Sequence, residues 1–408
     1  MKILKNIFWL LSEKGSQILI GIIISGLLAR NLGIVNFGYF QYTLSIILLF
    51  SSITYICGSE VIIPRLINAS TQERNSVITN GFLLRLFASL FGSIFFFLYI
   101  INTDIGKEFP FSVLLLSIIV LIREPFNIIV SILQAECNEK IAVWIRILAL
   151  FLKLLLLFVA VYFNNLNFNI VSVAWLFESV LIATTLTVLI KHIEKKYIFS
   201  FDRKKIIYLL GVGIKFWVGL IFMYLFLRLD RIFIMYKLDP VTLGIYSAAT
   251  QITDNIVTLA PIIAISCAPI LIYNKDHHSD IIKNVFLLTF IMALIGFIVA
   301  ITGYFLSPLI IKSIFSEKYY QSIDILKYLF LLCIPIFIDA GLNTLIIKNG
   351  NGYLIIAKWF IALAISFIIN LLNIEKLGVS SIILSNLFGY ISAVIFGFIY
   401  IFMNRNKT

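Results

Sequence analysis

Residues 285–306 read VFLLTFIMALIGFIVAITGYFL, a continuous apolar run without one charged side chain. About 20 such residues in a helix cross the ~30 Å hydrocarbon core of a bilayer. A helix apolar on every side has no polar face to turn to water. Apolar runs of similar length with few or no charges lie on either side of it, at 206–229, 243–267, 323–346, 353–373 and 379–402. Six earlier runs, at 7–29, 38–63, 78–101, 111–133, 142–163 and 170–190, complete the series. Turn formers separate them, among them Asn68-Ala69-Ser70, Asn164-Asn165 and Asn349-Gly350-Asn351-Gly352. Composition agrees, with 61% hydrophobic and 13% charged residues against roughly half and a quarter in soluble domains. Backbone groups in lipid must be satisfied within their own segment, which favours helices over the alternating strands of a barrel. The chain therefore reads as an all-α polytopic membrane protein of about twelve transmembrane helices. Its 408 residues leave no room for a soluble domain.

The most polar stretch, 191–205, falls halfway along and separates six spans from six. It predicts an N-terminal lobe over 1–190, a basic cytoplasmic linker over 191–205 and a C-terminal lobe over 206–408. With the N-terminus inside, that linker carries Lys191, Lys195, Lys196, Arg203, Lys204 and Lys205. The opposite side carries Arg30, Lys107, Arg231, Lys237, Lys312, Lys318 and Lys376, fewer than half the inside count. Such a bias places both termini in the cytoplasm. The net charge of +12 is thus a matter of loops, and no nucleic-acid partner is expected. Lys2 and Lys5 precede a run that continues to Ala29 without a small-residue cleavage site, so this end reads as a retained first span. Cys57, Cys137, Cys267 and Cys333 lack the spacing of a disulfide framework or a metal site. His192, His277 and His278 lie in predicted cytoplasmic loops. Neither cofactor nor metal is expected.

The halves resemble one another. Phe37-Gly38-Tyr39-Phe40 opens the second span and Leu243-Gly244-Ile245-Tyr246 the eighth, and Pro64 and Pro269 close them. Gln41, Ser45, Ser52 and Tyr55 fall on one helical stripe, as do Ser247, Gln251, Thr258 and Pro261 some 206 positions on. The relation is a parallel repeat about an axis along the membrane normal.

Leu28-Ala29-Arg30-Asn31-Leu32-Gly33 with Asn36-Phe37-Gly38-Tyr39 resembles the turn after the first helix of Wzx-type polysaccharide flippases of the multidrug/oligosaccharidyl-lipid/polysaccharide (MOP) superfamily. Ile311-Lys312-Ser313-Ile314-Phe315-Ser316-Glu317-Lys318-Tyr319-Tyr320 resembles the loop before their tenth helix. Leu229-Asp230-Arg231 followed by Leu243-Gly244-Ile245-Tyr246 resembles their seventh-to-eighth connection. The resemblance implies two six-helix lobes around a central cavity, as in MATE transporters, opening alternately to each side of a bacterial inner membrane. It implies as substrate an oligosaccharide repeat unit on undecaprenyl pyrophosphate, of O-antigen or a similar surface polysaccharide of lipopolysaccharide type. A polysaccharide polymerase and a chain-length regulator would be its partners beside the membrane lipids. Lipid II flippases are similar but typically carry fourteen helices. Cation-coupled multidrug exporters of the same superfamily share the twelve, and a membrane polymerase of the same pathway is a third reading. That polymerase would need a long outer loop, and the outer stretch 307–322 is short. No catalytic residue is assigned.

An anionic sugar-pyrophosphate needs a cationic route, and a charge at the bilayer centre costs at least ~2.5–3.5 kcal/mol unless it faces a cavity or partner. Lys14, Arg123, Lys153 and Lys215 are the candidates for that cationic cavity, with Gln17, Gln41, Ser45 and Gln251 as its polar stripe. Asp254, whose repeat-mate is Leu48, is the candidate for coupling to H⁺ or Na⁺, with Glu178 and Asp230. Interhelical ion pairs are the competing reading for Lys153, Lys215 and Asp254. Arg85 is expected to snorkel to the cytoplasmic edge, and Arg228 to pair with Asp230.

Overall fold

The computed structural model describes residues 2–405 except 68, 137, 194–196, 274, 276 and 351. Asn68, Cys137, Lys195, Lys196 and Asn351 therefore lie outside the described residues, as do the side chains of Lys2, Lys5, Lys191, His192 and His278. The chain runs α1 (Lys2–Leu32), α2 (Ile34–Thr54), α3 (Ser59–Leu66), α4 (Thr71–Ile101), α5 (Asp104–Glu108), α6 (Pro110–Ala135), α7 (Glu139–Tyr162) and α8 (Phe168–Ile193). It continues as α9 (Arg203–Lys237), α10 (Pro240–Val257), α11 (Leu259–Ala268), a π-helical turn (Pro269–Tyr273), α12 (His278–Ile314), α13 (Ser322–Leu331), α14 (Cys333–Lys348), α15 (Gly352–Leu377) and α16 (Val379–Arg405). Among the described residues twelve spans are long and apolar enough to cross a membrane, α10–α11 and α13–α14 counting as one each. They match the twelve runs of the sequence. Most are longer, because hydropathy marks the lipid-facing centre of a helix and the polar turns at its ends stay helical. Local chemistry sets several ends: Ser70 and Glu73 form a reciprocal capping box on α4, and Asp239 before Pro240 caps α10.

Two expectations are corrected. The second span is not one helix from 38 to 63: α2 stops at Thr54 and α3 restarts at Ser59, with Pro64 inside α3. Ser52 and Thr54 turn their hydroxyls back onto the carbonyls of Leu49 and Ser51, offering the backbone an alternative to the next helical bond. The freed carbonyls are satisfied from neighbouring helices. Trp217 Nε1 donates to Ile53 O at 2.9 Å, and Arg85 Nε donates to Cys57 O at 2.8 Å. Arg85 is therefore fully buried rather than snorkelling, since irregular backbone at membrane depth needs a donor brought to it. In the second half α10 stops at the corresponding place, before Thr258.

By compactness the chain divides into two units, residues 1–24 with 43–224, and residues 25–42 with 225–408. These cuts fall inside α1, α2 and α9 rather than at 191–205. The first unit is centred on α6, whose Ile128, Ile129 and Ile132 pack with Ile62 of α3, Ile78 of α4, Leu186 of α8 and Leu209 of α9. In the second unit α12 packs along α14, and α15 along α16. There Gly33 (φ +79°) makes the one-residue turn from α1 into α2, a conformation that side chains rarely adopt.

The two repeat-related glycines meet in this second unit. A Cβ on Gly38 would sit 2.7 Å from the Pro240 carbonyl oxygen and 2.8 Å from the Gly244 nitrogen, and one on Gly244 would strike the Ile34 carbonyl. Backbone lies on backbone, so no side chain can move aside. Gly38→Ala should cost ~1–3 kcal/mol of overpacking and lower the melting temperature of the detergent-solubilised protein by several degrees. Gly21→Ala, with open space around it, should leave the melt unchanged or raise it. Equal melting of both variants would mean that α2 and α10 do not cross at these residues.

Candidate functional site

Four helices of the first unit carry polar residues at helical spacing. On α1 these are Glu13, Lys14 and Gln17; on α6, Arg123 and Asn127; on α7, Arg146 and Lys153; on α8, Trp175, Glu178 and Ser179. Offsets of three, four or seven put each set on one face. All of them, with Leu44, Ile47 and Leu48 of α2, line one cavity of about 450 Å³. That lies within the ~300–1,000 Å³ usual for small-molecule sites.

The lining holds four cations and two carboxylates, and they are not equivalent. Lys153 Nζ lies 2.6 Å from Glu178 Oε2 and 4.1 Å from the centre of the Trp175 ring. Arg146 lies 3.0 Å from Glu13 Oε1 and reaches Asn127 Oδ1. Lys14 Nζ donates at 2.9 Å to Gln17 Oε1, and Gln17 Nε2 in turn donates to Glu13. Among the described residues no carboxylate lies within ion-pair distance of Lys14. Arg123 approaches Glu124 only to 4.0 Å, with its side chain half exposed. Two cations are thus committed to carboxylates, and two point charges remain for an anion. Low-dielectric walls concentrate their field.

The structure brings together Lys14, Arg123, Lys153, Gln17 and Glu178 of the residues expected from sequence. It leaves Lys215 out. That side chain is exposed on α9 and lines none of the described cavities, because Gly213 and Trp217 are the α9 residues turned onto the 53–56 stretch. Ser45 is buried and is not among the lining residues, while Gln41, buried, and Gln251, half-buried, belong to the second unit. Glu178 is the ion partner of Lys153 rather than an unoccupied acid. Arg146 and Asn127 were missed. Arg146 lies within two turns of its helix start, where a basic residue reads as an orientation signal, yet its seven-residue offset from Lys153 was visible.

A second polar cluster lies in the second unit. Asp254 Oδ2 accepts from Arg228 at 2.6 Å and from Arg231 at 2.7 Å. Arg231 also pairs with Asp230 at 3.0 Å and donates to Thr250, and the Tyr246 hydroxyl donates to Asp230 at 2.7 Å. Arg228 thus binds Asp254 instead of Asp230. Arg231 is no outer-loop charge but a buried hub inside α9, and Lys237 is the last residue of the same helix. Two guanidinium groups already neutralise the carboxylate proposed for ion coupling. A pocket of about 50 Å³ adjoins it. Of the α10 residues lining this pocket, Thr250, Thr253 and Asp254 stand 206 positions after Leu44, Ile47 and Leu48 of the large cavity. The repeat therefore aims the same three positions at a cavity in each unit, apolar in the first and polar in the second. Asp254→Asn should leave Arg228 facing a neutral amide, while Arg231 keeps its pair with Asp230. A loss of stability is expected, smaller than for a fully buried pair because the Asp254 side chain is 37% exposed, measurable as reduced membrane abundance. Normal abundance with altered pH or sodium dependence of export would instead restore Asp254 as a coupling site.

The sequence profile described as "Polysaccharide biosynthesis protein" matches residues 3–274, about two thirds of the chain. The chain belongs to this polysaccharide biosynthesis family. Solved structures share the fold. A MOP-superfamily multidrug resistance MATE transporter in an inward-facing conformation aligns with a TM-score of 0.71 and 14% identity, over 97% of this chain and 96% of its own. The lipid II flippase MurJ, inward closed, aligns with a TM-score of 0.74 and 16% identity, over 97% of this chain and 87% of its own. No sequence match is found among curated proteins. The family member described here is thus a multi-pass membrane protein of MATE-like, all-helical fold.

Proposed function

We propose that the chain is a flippase for oligosaccharide repeat units carried on undecaprenyl pyrophosphate, moving them from the cytoplasmic to the outer leaflet of the inner membrane by alternating access. The observation that carries this reading is the excess of cations in the 450 Å³ cavity, with Lys14 and Arg123 unclaimed by a close carboxylate. A pyrophosphate diester offers oxygens for charge-assisted hydrogen bonds from both. Gln17, Asn127 and Ser179 can bond sugar hydroxyls, while the apolar α2 wall suits lipid. A cationic drug would be repelled by the same groups. The reading requires no catalytic residue. It does favour a polysaccharide polymerase and a chain-length regulator as the proteins that use the exported unit, O-antigen being one such product.

Cells lacking the chain should accumulate lipid-linked repeat units inside and lose a surface polysaccharide, with resistance to cationic dyes unchanged. Lost dye resistance with intact polysaccharide would make it a drug exporter instead. The orientation has its own test. Cysteines at Ser70 or His277 should be shielded from an impermeant thiol reagent in intact cells, while those at Asn165 or Lys318 should react. Of the native thiols, Cys57 and Cys333 are buried, so they add little background. Reversed labelling would overturn the cytoplasmic placement of both termini.

A further inference from the structure

Residues 197–202, between α8 and α9, are irregular backbone, yet they are tied down. The hydroxyls of Tyr197 and Thr79 lie 2.8 Å apart, and Ser200 N donates to the Thr79 hydroxyl. Asn80 donates to the Ser200 carbonyl and accepts from Asp202 N, both at 3.0 Å. Thr79 and Asn80 are buried on α4, so the segment has one position on the first unit. Its apolar side chains nevertheless point away from the protein: Ile198 is 70% exposed, Phe199 63% and Phe201 62%. Directly after them come Arg203, Lys204 and Lys205. Arg65 stands over the neighbouring Tyr208 ring at 5.1 Å. Asp202 spends its carboxylate on the Lys204 amide at the α9 start.

The level of this segment follows from helix lengths. At 1.5 Å per residue α4 is ~46 Å long, more than the ~30 Å hydrocarbon core, so each end projects by several ångströms. Thr79 lies two turns inside α4, near the depth where that helix enters the hydrocarbon. Exposed aromatics at that level, with cations next to them in the chain, match the two chemistries of a bilayer surface, acyl boundary and phosphate.

We propose that residues 197–205 form an interfacial strap, with Ile198, Phe199 and Phe201 seated in the acyl boundary and Arg203, Lys204, Lys205 and Arg65 binding the headgroups of anionic phospholipids. The strap would fix the depth of residues 197–205 and recruit anionic lipid beside the start of α9. Each Lys or Arg near an anionic surface is worth about a fivefold change in affinity.

The test uses the full chain in neutral detergent, with a nitrobenzoxadiazole label at Phe199→Cys in a background without other reactive thiols. Dioctanoyl phosphatidylglycerol should give a saturable blue shift that phosphatidylcholine does not give. In the R203Q/K204Q/K205Q variant the half-saturating concentration should rise at least tenfold, as it should for the unaltered strap in 0.5 M salt. In nanodiscs the label should be quenched by headgroup nitroxide lipids and spared by aqueous iodide. An unchanged melting temperature of the triple variant shows that it folds, Arg203 and Lys204 being exposed and Lys205 half-buried over Tyr208. Equal responses to the two lipids, an unchanged half-saturation in the triple variant, or free quenching by iodide would each overturn the proposal. The last outcome would mean a water-facing surface.

Discussion

Lys14→Gln with Arg123→Gln should abolish polysaccharide export while normal amounts of the protein remain in the membrane. Neither side chain holds a buried carboxylate closely, so removing both leaves no stranded charge and the helix bundle should stand. What is lost is the pair of donors for pyrophosphate. At ~1.5–3 kcal/mol per charge-assisted hydrogen bond, substrate affinity should fall by on the order of 10²–10⁴. Lys14→Arg with Arg123→Lys keeps both charges and should retain partial export, since only the fork geometry changes. Export and membrane abundance, measured together, decide it. Normal export by the double glutamine variant would remove the cationic cavity from the substrate path.

Lys153→Ala should do the opposite. Its ammonium is buried against Glu178 and over Trp175, so the variant strands a carboxylate inside the membrane region. Breaking a buried pair from one side costs ~3–5 kcal/mol, enough to lower abundance several-fold. Glu178→Ala should cause a similar loss. Replacing both, as Lys153→Met with Glu178→Leu, should restore abundance, because a packed apolar pair satisfies the same space. Export by that double variant then reports whether the lysine also touches substrate. Should Lys153→Ala accumulate normally yet fail to export, the lysine is a substrate ligand and the ion pair is incidental.

The sequence carried the spans because bilayer thickness writes itself directly into run length and composition. It carried much of the cavity for a related reason: a charge within a span is costly enough that its presence needs a cause, which singled out Lys14, Arg123 and Lys153. Partners were the weak point. Whether Lys153 faces a carboxylate on α8, or Asp254 faces arginines on α9, depends on how helices rotate about their axes, which hydropathy does not encode. Lys215 illustrates the limit, since its depth in the span matches that of Lys153 but its face does not. Arg146 and Arg231 were hidden by position, because a basic residue near a helix end also satisfies the orientation bias. The break after Thr54 was hidden for another reason. Its stability comes from Arg85 and Trp217 on distant helices, and nothing within 51–58 records their arrival.

The cluster of Arg228, Arg231, Asp230 and Asp254 has a consequence for energetics. Two guanidinium groups and two carboxylates sum to zero, so any rearrangement that carries the four together does no electrical work across the membrane. Voltage is worth ~2.3 kcal/mol per elementary charge per 100 mV, but it needs net charge to act on. The lining of the large cavity, with more ammonium and guanidinium groups than carboxylates, is where such a field finds purchase. On the proposed function, an anionic load bound there would offset that excess. The empty and loaded forms would therefore respond differently to the same voltage, and the field would bear mainly on the return of the empty carrier.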